Sequence, residues 1–95
     1  MGVAVAVVAA SVGAPVEDIV GGKRRTEVAF ARQAAMYLTY VAYGMSLGRV
    51  AAAFGRDRST VAHACRVMEE RRDEPRFDRW MDSLEASVAR VPVAA

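Results

Sequence analysis

Ala53-Phe54-Gly55-Arg56-Asp57-Arg58-Ser59-Thr60-Val61-Ala62-His63-Ala64-Cys65-Arg66 is the stretch on which the reading of this chain turns. Val61, Ala64, Cys65 and Met68 recur at i, i+3, i+4 and i+7, the spacing of one buried face of a helix. Asp57 or Ser59 is the right residue type to cap that helix, which the pattern places over Arg58–Arg71. Gly55 breaks the chain just before it. Upstream, Ser46 is an N-cap candidate for a short helix from Leu47 to Phe54. Ala51, Ala52, Ala53 and Gly55 are small residues where the two helices must approach closely.

Two helices joined by a tight turn, in a short all-α chain with a basic middle, read as a helix-turn-helix. Its second helix would enter the major groove of DNA by its N-terminus. Arg56, Asp57, Arg58, Ser59 and Thr60 cluster there, a set able to reach bases and phosphates. The backbone N–H groups of that terminus also favour phosphate. Many helical hairpins share a glycine turn and a charged surface, so this pattern needs support from elsewhere in the chain.

Working outward, a long helix is expected from Glu27 to Tyr43. Phe30, Ala34, Tyr37, Leu38 and Val41 mark its buried face, and Gly44 ends it. Before it lies a basic loop, Lys23-Arg24-Arg25. Pro15 suits the first position of a short helix running to Val20, stopped by Gly21 and Gly22. At the N-terminus Val5, Val8, Ala9 and Val12 follow helical spacing, although Val3, Val5 and Val7 also alternate as in a strand. No second strand exists to pair with them, so helix is preferred. Pro75 opens the last helix, whose buried face is Phe77, Trp80, Met81, Leu84 and Val88, and Pro92 is expected to end the ordered chain. The expectation is an all-α fold of about six helices that contains the helix-turn-helix and forms one domain over residues 1–95.

The chain has 95 residues, 54% hydrophobic and 25% charged. That is too apolar for disorder and too short for the layered scaffold of most enzymes. The net charge of +2 hides an uneven distribution. Residues 1–22 carry −2, residues 23–72 carry +6 and residues 73–95 carry −2. A basic middle between acidic ends suggests an anionic partner for the middle. Twelve of the thirteen bases are arginine, whose fork suits phosphates and guanine edges. A coding bias toward Arg and Ala accounts for the same count. The single cysteine excludes an internal disulfide and a multi-cysteine zinc site, and fits a reducing cytoplasm. No base precedes Lys23, unlike a signal peptide, and the uncharged opening ends at Glu17, too early for a membrane span.

The segment from Lys23 to Met68 resembles the C-terminal DNA-binding domain of the bacterial replication initiator DnaA. The resemblance rests on Lys23-Arg24-Arg25, on Ala31-Arg32-Gln33-Ala34-Ala35-Met36-Tyr37-Leu38, and on Ser46-Leu47. It continues through Ala53-Phe54-Gly55-Arg56-Asp57 and is densest at Ser59-Thr60-Val61-Ala62-His63-Ala64-Cys65-Arg66. The core match spans 23–72. It implies a Trp-repressor-like helix-turn-helix fold that reads a short box in double-stranded DNA. By position, Arg32 matches an arginine of the minor groove, Asp57 and Ser59 match base-reading residues of the major groove, and Arg56 and Thr60 match adjacent contacts. Lys23, Arg24 and Arg25 match the basic loop. Ser46 and Leu47, at the start of the first helix of the pair, join the expected contact set, as do Arg58 and His63. Arg58 stands where the family usually has a histidine, the turn is one glycine shorter, and Tyr40 and Gly48 replace a common lysine and proline. These departures bear on box preference more than on fold.

The initiator's ATPase requires a G-x-x-x-x-G-K-[ST] phosphate loop. The one Gly-Lys here is Gly22-Lys23, with Glu at position 17 and Arg24 after the lysine, so the motif fails. The expectation is a stand-alone DNA-reading module that is not an enzyme, with no cofactor, no metal, no membrane and no small-molecule substrate. It would be cytoplasmic, associated with the nucleoid, and would regulate initiation by occupying initiator boxes. A second reading makes it a mimic of the initiator domain that binds regulatory protein partners of initiation. His63 is assigned to the groove or phosphate side, beside Arg66. Cys65 and Tyr37 are assigned to the core, Tyr40 to the surface or to DNA, and Trp80 to packing against the helix pair. Glu69, Glu70, Arg71 and Arg72 are expected to form a solvated helix end.

Overall fold

A computed structural model describes residues 2–91. Among these residues the chain forms six helices: α1 Gly2–Val12, α2 Val16–Val20, α3 Thr26–Tyr43, α4 Leu47–Phe54, α5 Arg58–Arg71 and α6 Pro75–Arg90. No strand occurs among the described residues. The all-helical, helix-turn-helix expectation holds. The proposed end of order at Pro92 lies outside the described residues.

α3 is the axis of the fold and packs against all five other helices. Its predicted face was too narrow. Ala34, Tyr37 and Leu38 are buried, but so are Val28, Ala31, Ala35, Met36 and Thr39, while Phe30 and Val41 are only partly covered. A helix surrounded by neighbours buries residues on every side, which a single amphipathic stripe does not express. The alanines at 31, 34 and 35 let those neighbours come close. Thr39 survives inside because its hydroxyl donates to the Ala35 carbonyl at 2.8 Å.

α1 is helical despite its alternating valines. Its internal hydrogen bonds satisfy a backbone that would lack a partner strand. Ala4, Val5, Val8 and Ala9 are buried, whereas Val12, expected on that face, is exposed. Pro15 sits one position earlier than expected, at the N-cap of α2 rather than inside it.

α6 begins as the sequence indicates, with Pro75 at its start. The Glu74 carboxylate caps it, accepting from the N–H groups of Arg76 and Phe77, both at 3.0 Å. Phe77, Met81, Leu84 and Val88 are buried. Trp80 is partly buried against the core. Its ring stacks on Phe30 of α3 at 5.8 Å between centroids and tilts against Phe77 at 5.6 Å. Its Nε1 donates to Ser11 Oγ of α1 at 2.7 Å. Trp80 therefore joins α6 to α1 and α3, beside Arg71 at the end of α5. Arg71 lies over the Phe30 and Phe77 rings at 4.9 and 5.1 Å, a cation–π contact.

The end of α5 is solvated at Glu69, Glu70 and Arg71, as expected, but not at Arg72. The Arg72 guanidinium is held by Asp78, Asp82 and Glu85 of α6 and donates to the Tyr37 hydroxyl at 3.3 Å. Tyr37 in turn donates to Glu69. Burial, and then this bond to Glu69, push the Tyr37 phenol up to about 12. Burial alone would lower the Arg72 pKa, but its bonds to Asp78, Glu85 and Tyr37 more than offset that and raise it. Three acids of the C-terminal segment thus converge on one cation, which locks α6 against α5 and α3. Cys65 is buried, and burial pushes its thiol up to about 11, with Glu69 adding to the effect.

Candidate nucleic-acid interface

The α4–turn–α5 unit is built by two caps of different kinds. Ser46 Oγ accepts from the Arg49 N–H at 3.2 Å and starts α4. Gly55 ends it, with φ +65° and open space around the position of a Cβ. The Gly55 N–H donates to Ala52 O at 3.3 Å and the Arg56 N–H to Ala51 O at 3.0 Å. That double bond pattern is the Schellman motif, which needs a left-handed residue and so favours glycine. Two further residues, Arg56 and Asp57, complete the turn into α5.

α5 separates cleanly into two sides. Val61, Ala64, Cys65 and Met68 are buried in the core, as their spacing predicts. Asp57, Arg58, Ser59, Thr60, His63 and Arg66 are exposed. Ser59, His63 and Arg66 follow at i, i+4 and i+7 and share one face. His63 Nδ1 lies 3.2 Å from the Arg66 guanidinium. Asp57 occupies the N-cap position, but its side chain makes no capping bond.

Arg32 and Arg56 are engaged differently from the exposed set. Arg32 Nε donates to Ile19 O at 2.7 Å, and its Nη2 donates to Asp18 O and Lys23 O, both at 3.0 Å. Asp18 and Ile19 belong to the end of α2, whose last carbonyls have no partner within the helix. A cation at a helix C-terminus also meets the negative end of its dipole. Arg56 donates Nη1 to Phe54 O at 2.9 Å and Nη2 to Gly21 O at 2.8 Å. Both guanidiniums therefore converge on the α2–α3 connection. Burial, and then the neighbouring Arg56, lower the Arg32 pKa. Gly21 is confined as well, since a Cβ there would lie 2.8 Å from the Glu17 carbonyl oxygen.

The basic loop is thereby shaped but its side chains diverge. Lys23 pairs with Asp18 at 3.3 Å and Arg25 with Glu27 at 2.8 Å. Arg24 lines a surface groove with Phe30, Gln33 and Arg71. Arg71 is the last residue of α5, about 20 Å along the helix from Arg58 at 1.5 Å per residue. The structure thus brings Lys23, Arg32 and Arg56 together, and gathers Arg58, Ser59, Thr60 and His63 on α5. It turns Arg24 toward the far end of that helix. Ser46 is exposed, while Leu47 is half-buried against the core. Arg49 and Arg66 were missing from the expected contact set, though both are exposed. Their signal was simply a base on the outer side of either helix.

The comparisons with known proteins agree with this geometry. The profile of the family described as "Bacterial dnaA protein helix-turn-helix" matches residues 4–67. The chromosomal replication initiator protein DnaA of Thermodesulfovibrio yellowstonii is 37% identical over 76 residues, which cover 78% of this chain and 17% of that protein. DnaA of Bifidobacterium animalis subsp. lactis is 46% identical over 59 residues, 61% of this chain and 10% of that protein. DnaA 2 of Chlamydia trachomatis is 41% identical over 56 residues, 59% of this chain and 12% of that protein. The chain spans less than a fifth of the length of these relatives. With a helix-turn-helix in place and the matched segment covering most of the chain, the protein belongs to the bacterial DnaA helix-turn-helix family.

Proposed function

We propose that this chain binds double-stranded DNA sequence-specifically at DnaA-box-like sites and so regulates the initiation of chromosomal replication. The observation that carries the reading is the division of α5. Its apolar stripe is buried, while Arg58, Ser59, Thr60, His63 and Arg66 are all left exposed. A helix offering cations, hydroxyls and an imidazole from its first turns is equipped for base edges and phosphates together. Such a module works by occupancy and has no catalytic step to perform.

Fluorescence anisotropy with a DnaA-box duplex and a scrambled duplex, titrated with salt, tests the proposal. About five phosphate contacts give a slope of log K against log salt near −4 to −5. The box is expected to bind at least tenfold tighter than the scramble at physiological salt. Equal affinity for both duplexes overturns the sequence-specific reading. Chromosome-wide occupancy overlapping that of the initiator, with altered initiation timing on deletion, tests the regulatory part.

A further inference from the structure

We infer that Arg58 sets base preference in this chain by reading a guanine through its O6 and N7 edge. The inference rests on the DNA-binding function proposed above. Of the three arginines around the turn, Arg32 and Arg56 have their guanidiniums tied to backbone carbonyls. Arg58 is exposed, and among the described residues it has neither a hydrogen-bond partner nor a carboxylate partner. It is the first residue of α5. Each Cα–Cβ bond of a helix tilts toward the N-terminus, so a side chain in this position projects beyond the helix end. A helix entering the major groove by that end places Arg58 at the base edges.

The residue before it supports the same conclusion. Ser46 and Glu74 cap α4 and α6 with their side chains, whereas Asp57 at the equivalent position of α5 does not. Nor does Asp57 form a salt bridge with Arg58. Two adjacent, oppositely charged side chains at the tip are therefore left unengaged. In the major groove guanine presents two acceptors to a planar fork, adenine and cytosine present an amino donor that repels it, and thymine presents one acceptor beside a methyl group. Guanine is thus the base that matches a free guanidinium on both bonds.

The test begins by selecting the preferred duplex of the wild-type chain from a random library. Each guanine of that duplex is then replaced in turn by 7-deazaguanine, which lacks the N7 acceptor. One replacement is expected to weaken wild-type binding about tenfold, as loss of a good base contact does. In Arg58→Ala the same replacement is expected to change nothing, and the preference for guanine at that position is lost. Arg58→Lys keeps the charge without the fork and is expected to recover affinity but not preference. The thermal transition of both variants should match wild type, because the residue is exposed. If Arg58→Ala weakens all duplexes equally and leaves the 7-deazaguanine profile unchanged, Arg58 is a phosphate contact and the inference falls. If the wild-type chain selects no duplex at all, the DNA-binding reading falls, and the inference with it.

Discussion

Arg56 reaches back to Gly21, donating Nη2 to its carbonyl oxygen at 2.8 Å while Nη1 holds Phe54 O at 2.9 Å. One side chain thus fixes the distance between the helix-turn-helix and the α2–α3 connection. A lysine carries the charge but no planar fork. Arg56→Lys is therefore expected to cost about 1–2 kcal/mol in urea denaturation, the scale of charge-assisted bonds at a partly exposed site. Hydrogen exchange should rise across residues 21–25. Gly21→Ala attacks the same contact from the other side, because the added Cβ must displace the Glu17 carbonyl. It should loosen the same residues. Unchanged exchange in both variants would mean that the loop is held by other means.

The N-cap positions of α4 and α5 should separate on substitution. Ser46→Ala removes a hydroxyl that accepts a backbone N–H and is expected to cost about 1 kcal/mol. Asp57→Ala removes a carboxylate that caps nothing, so its stability cost should stay below about 0.5 kcal/mol. Its effect belongs instead to DNA binding. Equal stability losses in the two variants would show that Asp57 caps α5 in solution.

Glu74 gives the acid response a named contributor. The N–H of Arg76, then that of Phe77, hold its carboxyl below the ordinary value of 4.5. A carboxyl depressed on folding stabilises the folded state fully above its unfolded value and loses that contribution as pH falls through the folded value. The stability difference between wild type and Glu74→Gln should therefore be constant from pH 7 to about 5 and shrink below that. Urea midpoints measured from pH 7 to pH 3 check this. A difference that persists unchanged at pH 3 would assign the capping role to the neutral side chain.

Much of this architecture was legible because punctuation and periodicity agreed. Ser46 and Gly55 bracket α4, and the Val61–Met68 stripe defines α5, so those two helices fall on their expected boundaries. What escaped were relationships that no local pattern encodes. The reach of Arg32 to the end of α2 depends on a chain reversal. Trp80 finds Ser11 and Phe30, residues far away in sequence. The run Glu69-Glu70-Arg71-Arg72 has the composition of a solvated end, and Glu70 is one, yet Glu69 meets a tyrosine, Arg71 an aromatic pair and Arg72 the acids of α6. The exposed tip of α5 was readable as a candidate site. Which of its neighbouring arginines were already occupied by backbone carbonyls was not.

Arg72 supplies the strongest test of the corrected reading. Its side chain is 19% exposed and meets Asp78, Asp82 and Glu85, with Tyr37 behind it. Arg72→Met keeps the aliphatic packing but leaves three carboxylates facing one another without a cation. Removing one partner from a fully buried ion cluster costs about 3–5 kcal/mol, and the partial exposure of these acids reduces that to about 2 kcal/mol. Two further signatures distinguish this cause from lost packing. Added salt should recover part of the loss by screening the carboxylates. Lowering the pH toward 4 should recover it too, because protonation removes the repulsion. Arg72→Lys should fall between wild type and Arg72→Met, since one ammonium does not span three carboxylates in the fixed geometry of a guanidinium. Denaturation of all three proteins at low and high salt measures these differences. A solvated Arg72 would give losses under about 0.5 kcal/mol, with no dependence on salt.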